Sequence, residues 1–275
     1  MTDWKNTLKK AEELFDQGQL NEAERLGQSV LRVEPVNARA FQLLGLVCSE
    51  RHDTKRAIEH LQTALRHCFN LAPSHNGLGL CYFALDQLDR ALHHFNIAIE
   101  IEPGHARAHF NRSLVWLKRG QFQLGWPEYE WRFSTGLVAH PPIPRPRWEG
   151  SRLDGRSLLV FTEQGIGDVL QFIRFLRNIS KDGGRIVLAC QRALQPLLKH
   201  LPTVDSWFPI DEEAPIDFDC FIPLLSLPSL LEIDESTIPC NIPYLPVEHL
   251  QVEKWQSRLT RECNSEASNA TDLRQ

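Results

Sequence analysis

The chain has 275 residues, of which 42% are hydrophobic and 24% are charged, and its formal net charge is −5. This length and composition are typical of one or two globular domains and exclude a mostly disordered chain. Lysine and arginine are scattered, so the sequence shows no basic footprint for nucleic acid. No apolar run reaches the roughly 18 residues that a membrane-spanning helix needs, and we expect no membrane span.

The spacing of the cysteines and histidines indicates free thiols and no metal site. The N-terminus leads into a helical pattern without an apolar signal region. The seven cysteines are widely spaced and form no C-x-x-C motif, which is typical of free thiols in a cytoplasmic protein. His105 and His109 lie four residues apart, but no third ligand is recognisable beside them. We therefore expect a cytoplasmic protein with neither a bound metal nor a cofactor.

Residues 4–129 repeat themselves with a period of 34. The units begin at Trp4, Ala38, Ala72 and Ala106. Small residues recur at positions 8, 20 and 27 of the units, among them Gly45 and Gly79, Ala57 and Ala91, and Ala64 and Ala98. This period and spacing are the signature of the tetratricopeptide repeat (TPR), in which small residues let two antiparallel helices approach closely.

The sequence therefore predicts an α superhelix, a TPR solenoid, over residues 1–134. Its units lie near 4–37, 38–71 and 72–105, and an atypical unit follows at 106–134. In this last unit we expect Pro127 to interrupt the second helix. An atypical unit is expected where a solenoid ends or docks onto another part of a protein.

The first helix of each unit is expected to line the concave side of the array. Helical periodicity places ten residues on this side: Arg39, Gln42, Leu46, Asn76, Leu80, Phe83, Arg107, Phe110, Leu114 and Leu117. Two interpretations stay open. The concave side is a groove for an extended peptide of a partner protein, or the second half of the chain covers Leu114 and Leu117.

The pattern changes after Phe133. Four prolines, at positions 141, 142, 144 and 146, predict a stiff connector over residues 135–154. Apolar runs then predict buried strands at 157–162, 185–190, 207–210 and 219–224, with helices at 169–179 and 191–200 between them. This alternation predicts an α/β fold with a parallel sheet and right-handed crossovers over residues 155–250.

A short loop, Gln164 to Asp168, follows the first predicted strand and opens a helix. Ligands of such sheets bind at the carboxyl ends of the strands, and N–H groups at a helix start can face an anion. Glu163 and Asp168 flank the loop and are candidates for an acid–base pair. Alternatively, Gly165 and Gly167 only allow a tight turn, and Asp168 caps the helix.

Several motifs together resemble bacterial TPR proteins with a glycosyltransferase tail. They are Trp126 to Phe133, Pro146-Arg147-Trp148, Glu163 to Phe172, Pro223 to Pro228, Ile238-Pro239 and Pro243-Tyr244-Leu245. The tail is similar to the heptosyltransferases (glycosyltransferase family 9) and more distantly to protein O-GlcNAc transferases. The resemblance covers about residues 4–260. It implies a Rossmann-like half, the first lobe of a two-lobed GT-B fold, with the acceptor on this lobe and the nucleotide-sugar donor mainly on the second.

The resemblance also implies roles for the loop residues. Asp168 falls on the aspartate proposed as the base for the acceptor hydroxyl, and Glu163, Gln164, Gly165 and Gly167 fall on the acceptor loop. A carboxylate near the reacting hydroxyl is what general-base catalysis requires.

The chain departs from this family in two ways. After a helical end that begins near 251, it runs into the polar, aperiodic residues 261–271, which we expect to be disordered, instead of a second lobe. Position 6 of the repeats, an asparagine ladder in O-GlcNAc transferases, is Leu43, Gly77 and Asn111 here.

We therefore expect a TPR protein-interaction scaffold that carries a remnant acceptor lobe. The alternative is a glycosyltransferase whose donor lobe is supplied by another chain or lost by truncation, and which binds a nucleotide sugar only with that lobe. A third alternative is nucleotide or dinucleotide binding by the lone half-Rossmann unit.

Overall fold

A computed structural model describes residues 3–136, 138, 143–198, 200–212, 217–240, 244–245 and 252–261. Contacts between residues divide the chain into two compact units. The first contains residues 1–141 and 232–237, and the second contains residues 142–231 and 238–275. Among the predictions, Pro141, Pro142, Cys263 and most of the polar tail lie outside the described residues.

The described residues of the first unit form an array of eight α-helices. They are α1 Trp4–Asp16, α2 Leu20–Val33, α3 Ala38–Glu50, α4 Thr54–His67, α5 Ala72–Ala84, α6 Leu88–Ile101, α7 Ala106–Lys118 and α8 Phe122–Tyr129. Each helix packs against the next, and α1, α3, α5 and α7 also pack against one another in that order. The predicted helical solenoid is confirmed.

Close contacts at the glycines explain why the small positions recur. A Cβ atom added to Gly79 would lie 2.4 Å from a ring carbon of Phe95, which is completely buried. A Cβ atom added to Gly45 would likewise lie 2.6 Å from Leu61. These distances are shorter than van der Waals contact, so only glycine lets the two helices of a pair approach so closely.

The fourth helix pair differs from the prediction. Pro127 lies inside α8, which continues to Tyr129, so the expected interruption at Pro127 was wrong. A proline lacks the N–H group for one i→i−4 hydrogen bond, and the helix tightens into a 3-10 helix at Glu130–Thr135 only after Tyr129. The guanidinium carbon of Arg132, in this 3-10 helix, lies 4.1 Å from the ring centroid of Phe133.

The second unit is built on a four-stranded sheet. Its strands are β1 Ser157–Phe161, β2 Arg185–Cys190, β3 Ser206–Pro209 and β4 Cys220–Pro223. The order is β3-β2-β1-β4, and every pair is parallel, with Leu159 opposite Val187 in β2 and Phe221 in β4. The predicted parallel sheet is confirmed. The Trp148 N–H donates to the Phe221 carbonyl at 2.8 Å and so covers the outer edge of β4.

The helices of this unit are shorter than predicted. The expected helix at 169–179 is instead α9, Ile166–Phe172, followed by a 3-10 helix at Ile173–Asn178. Phe172 and Phe175, and Ile173 and Leu176, are buried pairs three residues apart, which suits the three residues per turn of a 3-10 helix.

The expected helix at 191–200 is a 3-10 turn at Arg192–Leu194 and the short α10, Gln195–Leu198. A further short helix, α11, spans Leu227–Leu230. No helix within the described ranges is long and apolar enough to cross a membrane.

Candidate functional site

A ladder of polar side chains links the first helices of the array. Ser74 Oγ donates to Gln42 Oε1 at 3.2 Å, which joins α5 to α3. Asn111 Nδ2 donates to Asn76 Oδ1 at 2.9 Å, which joins α7 to α5. Two of the candidate groove residues, Gln42 and Asn76, thus hold neighbouring repeats together.

The ladder starts with an ion pair and leaves some polar groups accessible. Arg39 Nη2, on α3, lies 2.9 Å from Glu12 on α1. Asn76 is only 6% exposed, whereas Asn111 and Gln42 are half-buried. Gln42 and Asn111 are thus the more accessible amide residues of the ladder.

Aromatic and basic groups flank the ladder. The ring of Phe83 is half-buried, and Lys118 Nζ lies 5.3 Å from its centroid. Phe110 packs against Tyr129 with ring centroids 5.4 Å apart. Arg107 is exposed and, within the described part of the chain, makes no hydrogen bond or ion pair. Arg107 is thus an available cation on this face.

His105 and His109 do not converge on a common point. His105 caps α7, because its Nδ1 accepts from the Ala108 N–H at 3.3 Å. His109 instead contacts Glu128 Oε1 through Nδ1 at 2.7 Å and the Pro103 carbonyl through Nε2 at 2.9 Å. Among the described residues, no group of three or more histidine, cysteine, aspartate or glutamate side chains is arranged to hold a metal ion.

The fourth repeat contains a buried ionic cluster that helical periodicity does not predict. Glu128 is 8% exposed, and Arg112 donates to its two carboxylate oxygens. Arg112 Nη1 also donates to Asn96 Oδ1 at 2.7 Å. Arg112 stands at position 7, where two earlier units have Leu44 and Leu78, and this replacement was the available signal in the sequence.

In the second unit, the loop after β1 is fixed on both sides. Glu163 Oε1 accepts from the Leu225 N–H, just after β4, at 3.2 Å. Gln191, just after β2, donates through Nε2 to the Gln164 carbonyl at 2.9 Å and accepts from Thr162 Oγ1 at 3.1 Å. The carboxyl ends of three adjacent strands therefore hold one loop.

The predicted loop residues have different surroundings. Gly165 precedes α9 with φ −66° and ψ 165°, and Asp168 lies in the first turn of that helix. A Cβ atom added to Gly167 would meet nothing within 4 Å, and one added to Gly165 would meet only Asp168, at 3.5 Å. Neither glycine is needed for folding by its backbone conformation or by lack of space, and the loop is open around Gly167.

Tyr244, from one of the motifs of the resemblance, packs on the segment that follows this loop. Its hydroxyl donates to the Leu170 carbonyl at 3.0 Å, and the guanidinium carbon of Arg174 lies 4.3 Å from its ring centroid. Its neighbour Pro243 lies outside the described residues.

Comparisons with known proteins include family models for the helical array and relatives that match longer parts of the chain. Two family models, both described as tetratricopeptide repeat, match residues 8–73 and 72–105. Protein FlbA of Caulobacter vibrioides is 27% identical over 273 residues, a match that covers 88% of this chain and 44% of FlbA. The chain thus spans less than half the length of the curated relative that it matches.

Two solved structures are also similar. TTC0263, a TPR protein of Thermus thermophilus, is 20% identical with a TM-score of 0.43, and the match covers 48% of this chain and 73% of that protein. A mutant O-GlcNAc transferase of Thermobaculum terrenum is 21% identical with a TM-score of 0.45, over 75% of this chain and 42% of the transferase. The family models identify residues 8–105 as tetratricopeptide repeats.

Proposed function

We propose that this chain is a protein-interaction scaffold whose TPR array binds an extended peptide of a partner protein along its concave face. The amides of Gln42 and Asn111 pair with the main chain of the peptide. Phe83 and Phe110 contact its apolar side chains. Arg107 pairs with an acidic group, because it is an exposed cation beside the ladder.

One observation carries this proposal. The first helices are joined by side-chain hydrogen bonds, and each linked pair still presents a half-buried amide on the same face. An extended peptide leaves its main-chain N–H and C=O groups unpaired, and a row of fixed amides satisfies them without the entropy cost of ordering loose side chains.

The test begins with selection of peptides on the purified chain from a random peptide library, followed by affinity measurements by fluorescence anisotropy. We expect Arg107→Ala and Phe110→Ala each to weaken binding of a selected peptide about tenfold. Arg25→Ala is the control, because Arg25 is also an exposed arginine but lies on the second helix α2, where it pairs with Glu22. Equal affinities for wild type, Arg107→Ala and Phe110→Ala would contradict binding on the concave face.

We also propose that the α/β unit is the acceptor lobe of a glycosyltransferase-like tail and has no transfer activity alone. The support is the loop fixed at the carboxyl ends of β1, β2 and β4, which is where such sheets bind ligands, and its open surroundings at Gly167. Glycosyl transfer needs donor and acceptor held together, and that positioning supplies much of the rate enhancement.

Calorimetry with UDP-, GDP- and ADP-sugars tests this second proposal. We expect no heat of binding from this chain, and micromolar affinity for any of them would contradict a lone acceptor lobe. If a second lobe restores transfer, Asp168 is the candidate base. Asp168→Asn should then keep the melting temperature and lower activity at least about a hundredfold, because asparagine cannot take up the proton. Unchanged activity would leave Asp168 a structural role at the start of α9.

A further inference from the structure

A cavity of about 300 Å³ lies in the groove between α2 and α4, with α3 beneath it. This volume is at the lower end of the range of ligand sites, roughly 300–1,000 Å³. Its lining includes three apolar and three polar side chains: Leu31, Leu44, Cys48, Gln28, Arg56 and His60. The cavity is lined by second helices of the repeats and by buried positions of α3, and so lies apart from the proposed peptide groove.

The next repeat shows what fits such a cavity. A shift of 34 residues carries these six residues onto Leu65, Leu78, Tyr82, Gln62, Arg90 and His94, and the other two lining residues, Glu24 and Arg32, onto Ile58 and Arg66. Six of the eight residues are unchanged in type, whereas cysteine at 48 becomes tyrosine at 82 and glutamate at 24 becomes isoleucine at 58. The two grooves therefore differ, among these positions, by one aromatic side chain and one carboxylate.

Tyr82 is held in its groove by three side chains. It is 2% exposed, and the guanidinium carbon of Arg90 lies 4.0 Å from its ring centroid. The His94 ring stacks on it, with centroids 5.4 Å apart and an interplanar angle of 16°. Its hydroxyl accepts from Arg90 Nη2 at 3.0 Å and lies 3.4 Å from Gln62 Nε2. Cation–π attraction, stacking and hydrogen bonds thus all act on one hydroxyphenyl group.

The corresponding three groups surround Cys48, whose thiol is much shorter than a hydroxyphenyl group. Glu24 adds a carboxylate that Ile58 does not supply in the next groove; it accepts from Gln28 Nε2 at 3.2 Å and lies 3.7 Å from Arg56 Nη2. Burial, followed by the nearby Arg56, lowers the pKa of His60, and burial lowers the pKa of His94 to about 4, so both imidazoles are neutral at pH 7. Burial raises the pKa of the Cys48 thiol, which is therefore neutral as well.

We propose that the cavity between α2 and α4 binds a tyrosine side chain of a partner protein, seated where Tyr82 lies in the next repeat. The ring lies between Arg56 and His60, and the hydroxyl accepts hydrogen bonds from Arg56 and Gln28. Glu24 and Arg32 also line the cavity. Glu24 is already paired with Arg51, so Arg32 is the charged group beside the tyrosine that suits the main chain or flanking side chains of a polypeptide, which a free phenol lacks.

The experiment uses N-acetyl-tyrosinamide as the probe and the whole chain, labelled at leucine methyl groups, for NMR. We expect the methyl signals of Leu31 and Leu44 to shift on titration, with a dissociation constant of about 1 mM, as is typical of a ligand of this size. The signals of Leu65 and Leu78 should not move, because Tyr82 fills their groove. N-acetyl-phenylalaninamide should bind about fivefold more weakly, because it lacks the hydroxyl group.

Three substitutions at cysteines provide the controls. Cys48→Tyr should abolish binding of the probe, because the new ring occupies the cavity. Cys48→Ala should bind the probe with a dissociation constant within about twofold of the wild-type value. Cys68→Tyr places the same ring at an exposed cysteine next to α4 and should also bind like wild type. Equal shifts at Leu65 and Leu78, or unchanged binding by Cys48→Tyr, would overturn the proposal.

The melting temperature of Cys48→Tyr provides a second test that needs no ligand. Because its ring would meet an arginine, a histidine and a glutamine as Tyr82 does, we expect the melting temperature to increase by a few degrees. A decrease of more than about 5 °C would show that the ring does not fit, and would overturn the proposal.

Discussion

The helical array and the α/β unit are stabilised by different kinds of contact. In the array, helices pack on near neighbours, and the same positions recur every 34 residues. In the α/β unit, single contacts join distant segments, as when the Ser157 N–H donates to Asp219 at 2.7 Å. A residue of one repeat can therefore be compared with the residue at the same position of the next repeat, as Cys48 can be compared with Tyr82. Glu163 and Gln191 of the α/β unit belong to no repeat, so their roles are inferred from their contacts alone.

The largest effect that follows from this comparison concerns position 11 of the repeats. We expect Tyr82→Ala to lower the free energy of unfolding of the array by about 3–5 kcal/mol, because it removes a buried ring and its stacking partners. Cys48→Ala should cost only about 1 kcal/mol, because a single buried sulfur is lost. Urea unfolding followed by far-ultraviolet circular dichroism measures both. Equal costs would show that the two grooves are packed alike.

The next effect concerns a glycine of the α/β unit. A Cβ atom added to Gly184 would lie 2.5 Å from Leu153 Cβ and 2.6 Å from the Arg156 carbonyl oxygen. Gly184→Ala must therefore move the backbone at the start of β2, and we expect a cost of about 1–3 kcal/mol in urea unfolding of this unit. A neutral substitution would mean that the two segments do not approach so closely.

Mild acid should destabilise the array before the α/β unit. Burial, followed by the neighbouring His75 and His93, lowers the pKa of His94 from 6.5 to about 4. Because the unfolded chain binds more protons below pH 6.5, the array loses stability as the pH falls from there to about 4. The expected loss is about 1 kcal/mol, since His94 is only half-buried.

The α/β unit should respond only at lower pH. Burial raises the pKa of Asp205, but hydrogen bonds from Lys181 and the Ile186 N–H outweigh this and hold it below 3.8. The contribution of ionised Asp205 to the stability of this unit is therefore lost only as the pH falls below 3.8. Thermal melts between pH 7 and pH 4 measure the difference, with His94→Gln as the control that flattens the response. If the melting temperatures of both units fell together near pH 6, the expected difference between the units would be contradicted.

The smallest expected effect is at Gly167. Its surroundings are open, so Gly167→Ala should change the free energy of unfolding by no more than about 0.5 kcal/mol. Thermal melts beside Gly184→Ala measure this. If Gly167→Ala is as costly as Gly184→Ala, the loop is packed and not open to a ligand.

Much of the fold was predictable because it depends on patterns of residue size. The small residues at Gly79 and Gly45 indicated the helix pairs, and the apolar run at Arg185–Cys190 indicated β2 at its observed bounds. The division of the segment at 169–179 was missed, because buried residues three apart suit both an α-helix and a 3-10 helix. Periodicity indicates which face is buried but not which helix type forms.

The sites were less predictable than the fold. Periodicity placed Gln42 and Asn76 on one face, but the hydrogen bond from Asn111 to Asn76 depends on how closely α5 and α7 approach. The contact between Gln191 and Gln164 joins the ends of two strands and depends on side-chain conformation, which no local pattern specifies. The cavity at Cys48 was within reach of sequence comparison between repeats, because one unit has cysteine where the next has tyrosine.

Hydrogen–deuterium exchange with and without a library-selected peptide tests most directly whether the concave face is the binding surface. We expect the peptide to slow exchange in the first helices α3, α5 and α7, where Arg39, Asn76 and Arg107 lie, and to leave the second helices and the sheet unchanged. Slower exchange confined to α2, α4 and α6, or to β1 and the loop after it, would contradict binding on the concave face.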